Sequence, residues 1–280
     1  MRAMILGASG MLGHDLVAHA PPGTTLFPFT KKDLDITGTT SLAATVAEVQ
    51  PDVIINAAAY TAVDRAESEA ALCFQVNADA VGKLGRIAAR AGARIVHFST
   101  DYVFDGMSSE PYGEESPTDP INTYGASKLA GENALRQSRA DSLIIRTQWL
   151  FGVHGKCFPR TMWDRATAGL TTKVVRDQTG RPTYSRDVAR TAWALIGRHS
   201  CGMVHVANHG TATWFDLATH IFARVGRTDL LSPCLTAEYA TPARRPRCSI
   251  LGTTRLEREL GVALPEWPRA VDQFLQSLTA

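Results

Sequence analysis

Several features that define other classes of protein are scarce in this sequence. Its five cysteines among 280 residues are scattered, odd in number and never spaced Cys-x-x-Cys, which argues against a disulfide framework or a zinc site. No apolar run approaches the roughly 18 residues of a membrane-spanning helix, and the run after Met1 is too short for a signal peptide. We therefore expect a cytoplasmic protein that does not contact a membrane.

The sequence also lacks a large excess of either positive or negative charge. The 29 basic and 27 acidic residues leave a net charge of +2, too small to favour a nucleic-acid partner or a membrane surface. Any site for phosphate must then be local. The length and the hydrophobic content of 45% suit one large α/β domain or a main domain with a smaller lobe.

A glycine-rich turn follows the first apolar run. Gly7, Gly10 and Gly13 come directly after Ala3–Leu6 and before a helix-like segment. Glycines at this spacing let the chain turn tightly, let a pyrophosphate approach the backbone, and let the helix pack on the strand. The pattern predicts a dinucleotide site, and the alternative is a glycine turn without a ligand.

The end of the second predicted strand, Thr24–Phe29, bears on the choice of cofactor. An acidic side chain about twenty residues beyond the glycines grips the ribose of NAD in such folds, whereas this chain has Thr30 and Lys31 there. A hydroxyl and an ammonium suit a 2′-phosphate, so we expect NADPH. Asp33 is close enough that NADH is possible, and solvated lysines before a turn are the plain alternative.

We expect the catalytic residues to lie between residues 95 and 128. An apolar run from Ile95 stops at Ser99-Thr100-Asp101, which predicts a buried parallel strand delivering hydroxyls to the ligand-binding edge of a sheet. Asn122 stands at an N-cap-like position before a helical segment in which Tyr124 and Lys128, four residues apart, share one face.

This spacing suggests an acid catalyst. A tyrosine hydroxyl has a pKa near ~10, and a neighbouring ammonium lowers it. Tyr124 is therefore predicted to protonate an oxygen that gains charge during carbonyl reduction, with Thr100 holding the same oxygen. The alternative makes Tyr124 a half-buried helix residue and Lys128 a solvated one.

Strand-like and helix-like segments alternate along the rest of the chain. We predict strands at 51–56, 143–147 and 203–206, and helices at 40–49, 67–91, 158–168 and 186–197. The fold class is therefore α/β, a Rossmann-type doubly wound parallel sheet with a smaller C-terminal substrate-binding lobe. Residues 1–150, with about 186–206 returning, form the dinucleotide-binding domain, and 151–185 with 207–280 form the lobe.

Three further positions leave alternatives open. Trp149, just past a strand, either lines a sugar pocket or closes the core. Arg245, one of three arginines around Pro246, either meets a diphosphate or belongs to a solvated basic turn. His205 and His209 are four apart on a strand and turn, a spacing that does not place them on one face, so no metal site is expected.

Longer motifs resemble the extended short-chain dehydrogenase/reductase superfamily over nearly the whole chain. They are PDVIINAAAYTAVD at 51–64, followed by Ala66-Glu67, STDYVFD at 99–105, YGASKLAGE at 124–132, DQTGRPT at 177–183, and Arg245-Pro246. The resemblance implies NAD(P)H-dependent reduction of the C4 keto group of dTDP-4-dehydro-6-deoxy-L-mannose to dTDP-L-rhamnose. Another nucleotide-sugar reductase or epimerase, or a non-catalytic NADP-binding regulatory subunit, remains an alternative.

The resemblance also implies positions for the site residues. Thr100 and Tyr124 polarise and protonate the sugar carbonyl, and Asp101, Trp149 and Arg245 contact the substrate. The residues implied at the cofactor are Gly7, Ser9, Gly10, Met11, Leu12 and Gly13 at the pyrophosphate, Asp35 and Ile36 at the adenine, Ala58, Ala59 and Tyr60 near the ribose, Phe98, and Lys128 at the nicotinamide ribose.

Two positions depart from the superfamily pattern. Cys157 stands where asparagine is common in an Asn-Phe-x-x-Thr-Met run that touches substrate. Arg186 stands where some members have a glutamate that holds a dimer-bridging magnesium ion, although Asp15 remains acidic. Magnesium is therefore doubtful, and both a monomer and a homodimer remain open.

Overall fold

Strands and helices alternate through the first half of the chain in this computed structural model, which describes residues 1–279. The elements of this half are β1 (Arg2–Leu6), α1 (Met11–Ala18), β2 (Thr25–Phe29), α2 (Thr39–Val49), β3 (Val53–Asn56), α3 (Val63–Ala66), α4 (Ala70–Phe74), a π-helical turn (Gln75–Asp79), α5 (Ala80–Ala91), β4 (Arg94–Thr100), a 3₁₀ turn (Asp101–Val103), α6 (Thr123–Gln137) and β5 (Ser142–Thr147).

The second half contains shorter strands. Its elements are β6 (Leu150–Phe151), α7 (Phe158–Thr167), β7 (Thr172–Val175), β8 (Thr179–Gly180), β9 (Thr183–Tyr184), α8 (Ser185–Gly197), β10 (Gly202–His205), β11 (Ala212–Thr213), α9 (Trp214–Ala223), β12 (Leu231–Cys234), α10 (Thr254–Leu260) and α11 (Trp267–Thr279), with 3₁₀ turns at Thr228–Leu230 and Thr236–Glu238.

A six-stranded parallel sheet in the order β10-β5-β4-β3-β1-β2 organises the fold. The strand order reverses at β1, which pairs with β2 on one side and β3 on the other, so that Leu6 lies between Phe29 and Asn56. This is the switch point at which open α/β sheets bind ligands. The expected Rossmann-type α/β class is confirmed.

Both faces of the sheet are covered, which explains the continuous apolar strands. Every residue of β3 and of β4 is buried. One core cluster forms around Ile5, Ile55 and Val204, and the other forms around Met4, Ile54 and Leu84. Alternate residues of a strand point to opposite faces, so each strand supplies both cores, and each fully buried aliphatic chain contributes about 1.5–3 kcal/mol.

A third apolar cluster lies under the C-terminal elements. It centres on Phe151, Phe222 and Phe274 and brings together side chains of α7, α9 and α11. Three two-stranded sheets accompany it, pairing β11 with β8, β12 with β7, and β6 with β9. Meanwhile α8 packs against α1, and β10 completes the main sheet beside β5.

The predicted helical segment from about residue 67 to 91 is confirmed from Ala70 onward, with a π turn inside it. The structure divides this segment into α4, the π turn and α5, preceded by the short α3. The buried Asn77 amide accepts from Tyr60 N at 2.9 Å and donates to Ser127 Oγ at 3.0 Å. A π turn adds one residue to a helical turn and so changes the direction in which its side chains point. Here it directs Asn77 toward these two partners. The predicted stop at Gly92 is correct, with φ of 67°.

No helix within residues 1–279 is both long enough and apolar enough to span a bilayer.

Candidate active site

The glycine loop leaves an open, donor-rich surface at the start of α1. A Cβ on Gly7, at φ +80°, would lie 2.7 Å from Ala58 N, and one on Gly13 would lie 2.2 Å from Gly7 O. Gly10 caps α1 without a side-chain hydrogen bond, so no capping side chain occupies the first amide groups of the helix, at Met11 and Leu12. Free amides and the helix dipole suit a phosphate, so the loop fits a dinucleotide pyrophosphate.

A cavity of about 250 Å³ adjoins this loop. Its walls include many of the residues predicted for the adenosine half of the cofactor, namely Gly7, Ser9, Gly10, Lys31, Asp35, Ile36, Ala58, Ala59 and Tyr60. Thr30 is not among them, and its hydroxyl donates to Asp33 Oδ2 at 2.7 Å. The Lys31 ammonium is exposed and lies 4.0 Å from Asp35. Of the two residues expected at a 2′-phosphate, only Lys31 therefore faces the cavity.

A second cavity of about 610 Å³ opens on the other side of the loop, at the carboxyl ends of β4 and β5. It brings together most of the predicted catalytic and substrate-binding side chains. Its lining includes Ser9, Gly10, Met11, Leu12, Phe98, Thr100, Asp101, Tyr124, Lys128 and Trp149.

A third cavity of about 710 Å³ continues into the C-terminal region and shares Tyr102 and Trp214 with the second. Aromatic side chains and cations line it, including Phe158, Tyr239 and Lys173. An aromatic face with a nearby cation suits a base and an anionic group.

The N-terminus of α6 sets the position of Tyr124. Asn122 Oδ1 accepts from Gly125 N at 2.8 Å, as its predicted cap position requires. A Cβ at Gly125 would lie 2.0 Å from Tyr102 O, so the first turn of α6 packs directly on the turn after β4. This contact brings the phenol of Tyr124 to the Thr100 hydroxyl at the end of β4.

The expected lowering of the Tyr124 pKa by Lys128 is wrong. Burial and the nearby Asp101 carboxyl raise the pKa of Tyr124 well above its usual value, while the Thr100 hydroxyl opposes them. Lys128 has little influence because its amine turns away, to Phe98 O at 2.7 Å. The phenol therefore holds its proton at neutral pH.

Lys128 itself is buried, which excludes the solvated alternative. Its side chain reaches under β4, where its Nζ contacts Phe98 O and lies 3.4 Å from His97 Nε2. Burial lowers the pKa of Lys128 to about 8, although Glu132 and Cys73 act in the opposite direction. An amine with so low a pKa beside a cavity is typical of functional sites.

Three buried polar atoms within residues 1–279 lie at the second cavity without a hydrogen-bond partner: Ser99 Oγ, Asp101 Oδ2 and Thr147 Oγ1. Burial raises the pKa of Asp101 to about 7. Buried polar groups are rarely left unpaired, so their grouping here marks this edge of the sheet as a candidate site.

Trp149 lines the cavity and also packs against the core. Its indole stacks on Trp214 with ring centroids 3.6 Å apart. A Cβ at Gly180 would lie 2.5 Å from this indole, so a glycine is needed there. Trp149 therefore lines the cavity and packs on the core at once, and its contact with a sugar stays a prediction.

Arg245 lies at the third cavity but is not a solvated residue of a basic turn. Its Nη2 atom lies 2.8 Å from Asp64 Oδ2, and its second nitrogen also contacts that carboxylate. This pairing lowers the pKa of Asp64, and the Asp64 carboxylate balances the positive charge of the guanidinium.

Three positions considered for a metal have hydrogen-bond partners within the fold. His205 is buried, with Nδ1 facing Gly252 O at 3.2 Å. Asp15 accepts a hydrogen bond from Ser185, and Arg186 donates to the side chain of Gln273. No cluster of three potential metal ligands occurs within residues 1–279.

The sequence reasoning missed several residues. Tyr102 and Trp214 link the two larger cavities, and His97 contacts Lys128. One signal was available for His97, because it is the single ionisable side chain inside the apolar part of β4. Trp214 gave no signal, since it comes from a distant helix.

Comparison with known proteins gives a consistent result. The family model described as "RmlD substrate binding domain" matches residues 1–280. A dTDP-4-dehydrorhamnose reductase from Burkholderia thailandensis is 39% identical over 99% of each chain. A probable dTDP-4,6-dihydroxy-2-methyloxan-3-one 4-ketoreductase from Streptomyces antibioticus is also 39% identical, over 100% of this chain and 96% of its own. The structure of dTDP-4-dehydrorhamnose reductase from Bacillus anthracis in complex with NADP is 36% identical over 99% of each chain, with a TM-score of 0.95.

Proposed function

The chain belongs to the RmlD substrate binding domain family, and on this premise we propose that it reduces the C4 keto group of dTDP-4-dehydro-6-deoxy-L-mannose, forming dTDP-L-rhamnose with NADPH. The observation that carries the proposal is a single cavity lined by the glycine loop, Thr100, Tyr124 and Lys128. A reductase needs a cofactor cradle and a proton donor to open into the same space.

Tyr124 is the proposed proton donor. Its raised pKa keeps the phenol protonated, which a group that donates a proton during the reaction requires. Thr100, whose hydroxyl lies at the same end of β4, holds the carbonyl oxygen. Positioned proton transfer contributes about 10²- to 10⁴-fold to a rate.

NADPH, when bound, supplies the hydride. We place its pyrophosphate at Ser9–Gly13, its adenosine in the cavity with Asp35, Ile36 and Tyr60, and its nicotinamide half beside Phe98 and Lys128. Lys31 is the proposed contact of the 2′-phosphate, because its ammonium is exposed at the cavity edge. Thr30 is left out of this contact.

The nucleotide sugar is assigned to the two larger cavities. The sugar contacts Asp101 and Trp149 in the cavity shared with the cofactor, and the dTDP group extends past Tyr102 and Trp214 into the third cavity. Residues 1–150 with 186–206 then serve the cofactor, and 151–185 with 207–280 serve the substrate. Arg245 acts there by holding Asp64 rather than as a free cation.

A second candidate is reduction of the C4 keto group of a different dTDP-sugar. The Streptomyces antibioticus relative, which carries a different substrate in its name, is as similar to this chain as the Burkholderia thailandensis reductase. Cys157, where the superfamily pattern has asparagine, lies at the start of α7.

Oxidation of NADPH, followed by absorbance, tests both candidates. We expect turnover with dTDP-4-dehydro-6-deoxy-L-mannose, slower turnover with dTDP-4-keto-6-deoxy-D-glucose and with the corresponding UDP-sugar, and a lower KM for NADPH than for NADH. Faster turnover of the D-glucose derivative would favour the second candidate. Binding of NADP without turnover of any keto sugar would exclude a reductase.

The cellular location and the partners of the enzyme are also proposed. The five cysteines, all within the described residues 1–279, are free, which suits a reducing cytoplasm. The proposed partner is a small nucleotide sugar, and neither a monomer nor a homodimer is favoured.

A further inference from the structure

A short segment without regular secondary structure, residues 152–156, connects β6 to α7 at the edge of the second cavity. We call this segment the strap. Its last three residues, His154, Gly155 and Lys156, line the cavity together with Ser9, Gly10, Met11 and Leu12 at the start of α1. The strap and the glycine loop therefore border the same space, although they are about 140 residues apart in the chain.

The two glycines of the strap lie against the first residue of α1. A Cβ on Gly152 would lie 2.9 Å from Met11 Cγ and would overlap Ser185 Oγ, so glycine is needed for this close approach. Gly155 has a φ of +101°, a conformation that other residues rarely adopt, and a Cβ there would lie 3.9 Å from Met11 Cε. The strap therefore packs on the residue at which α1 begins.

An aromatic stack holds the middle of the strap. The imidazole of His154 stacks on that of His14, one turn further along α1, with ring centroids 4.2 Å apart and ring planes inclined by 21°. Both side chains are exposed, and His14 lines none of the three cavities. On its other side the strap is fixed by Val153, which packs against the third apolar cluster.

The strap brings a positive charge to the cavity. Lys156 is exposed, and none of the ion pairs within residues 1–279 includes its ammonium. The glycine loop, residues 7–13, contains no cationic side chain. A dinucleotide pyrophosphate is negatively charged, and backbone amides carry no net charge to balance it. An ammonium in the same cavity supplies that charge.

We propose that Lys156 binds the pyrophosphate of the dinucleotide together with the amide groups of the glycine loop, and that His14 and His154 are positioning residues whose stacked rings hold the strap beside α1. The proposal rests on the proposed function only in placing the pyrophosphate at Ser9–Gly13. It adds one residue of the proposed substrate-binding lobe to the cofactor site.

The nucleotide sugar carries a diphosphate as well, which is a second source of the same chemistry. Phe158, two residues beyond Lys156, lines the third cavity. The geometry favours the cofactor, because Lys156 lines the cavity that contains the glycine loop and is not part of the lining of the third cavity. The experiment therefore has one arm for each source of phosphate.

The first arm measures the dissociation constant of NADPH by fluorescence titration, without turnover. Lys156→Gln should raise this constant about two- to fivefold, as expected for one exposed ion pair, and the difference should shrink as the salt concentration rises. Binding of adenosine 2′-monophosphate, which lacks a pyrophosphate, should not change. Arg90→Gln, which removes an exposed cation of α5 outside the three cavities, is the matched control and should leave both constants unchanged.

The second arm is a calorimetric titration with dTDP, whose dissociation constant should be the same in Lys156→Gln and in the parent. Unchanged binding of NADPH in this variant would overturn the proposal, and weaker binding of dTDP in its place would assign the ammonium to the nucleotide sugar. An equal loss for NADPH and for adenosine 2′-monophosphate would also overturn it. Failure of the proposed reaction is a separate result, because it appears as normal NADPH binding by the parent without turnover of a keto sugar.

A third measurement breaks the stack from the side of α1. His14→Ala should weaken NADPH binding by no more than Lys156→Gln does, and His14→Phe, which keeps a flat ring for stacking, should restore it. In a Lys156→Gln background His14→Ala should have no further effect, because the strap then has no charge to position. A loss of equal size with and without Lys156 would show that the stack acts on α1 itself, and it would overturn the positioning role.

Discussion

Two basic side chains are buried beside helix α6, and their hydrogen-bond partners differ. Arg146, from β5, binds both oxygens of Glu132 on α6 and stacks 5.1 Å over the Phe104 ring. Lys128 lies one turn earlier on α6 and contacts only a backbone carbonyl and an imidazole. Both side chains are buried to 2% exposure.

The difference separates a charge that supports the fold from a group kept for chemistry. A guanidinium with a bidentate carboxylate has its donors satisfied, so it can remain ionised in the core. Burial of a lysine that is not paired with a carboxylate lowers its pKa. Its amine also keeps hydrogen-bonding capacity for a ligand. The cavity lies beside Lys128 and not beside Arg146.

The largest expected effect comes from breaking the ion pair. Glu132→Ala leaves Arg146 charged and unpaired in the core, which should lower the free energy of unfolding by about 3–5 kcal/mol. Urea unfolding measures the loss. Glu48→Ala, at an exposed position of α2, is the control and should stay within about 0.5 kcal/mol of the parent. A loss below about 1 kcal/mol in Glu132→Ala would contradict a structural role for the pair.

The next largest effect is expected on turnover, from a change in the cavity that Lys128 lines. Tyr124→Phe removes the proposed proton donor and should lower kcat by about 10²- to 10⁴-fold. The affinity for NADPH, measured by fluorescence titration, should change little. Tyr112→Phe, which removes a phenol outside the three cavities, is the control. Unchanged turnover in Tyr124→Phe would remove Tyr124 from the mechanism.

A smaller effect distinguishes the two cations by pH. The pKa of Lys128 falls from 10.5 to about 8 on folding, so between these values the unfolded chain binds a proton that the folded protein does not. Stability should therefore rise with pH in this window, by roughly 1 kcal/mol per pH unit, and this contribution is absent below about pH 8.

The measurement is the difference between the parent and Lys128→Met, because the titration of every other group cancels. Unfolding at pH 8, 9 and 10 should show the rise in the parent and lose it in the variant. Equal slopes in the two proteins would mean that the amine of Lys128 keeps an ordinary pKa in the fold.

The smallest effect concerns an exposed cation. Lys31 lies at the adenosine cavity, and a solvated ammonium contributes about 0.2–1 kcal/mol to an ion pair. Lys31→Ala should therefore raise KM for NADPH by a few-fold and leave KM for NADH unchanged. Lys32→Ala, which removes a neighbouring exposed ammonium, is the control. An equal rise for both cofactors would argue against contact with a 2′-phosphate.

Much of the fold was predictable because its signals are local. The strand, glycine loop and helix at the N-terminus are consecutive in the chain, and the Asn122 cap acts on a residue three positions away. The π turn was not predictable, since its Asn77 contacts Ser127, which is 50 residues distant. The candidate site shows the same division, with Tyr124 identified from its motif and Trp214 found only through packing.

The sequence by itself determined the alternation of strands and helices, the phosphate-binding turn and the pairing of Tyr124 with Lys128 on one helix, because each depends on residues within a few turns of one another. Only the tertiary structure decided the protonation of these groups. Burial, the Asp101 carboxyl and the contact from His97 act across elements far apart in the chain, and they turned an expected acidic phenol beside a cation into a protonated phenol beside an amine of lowered pKa.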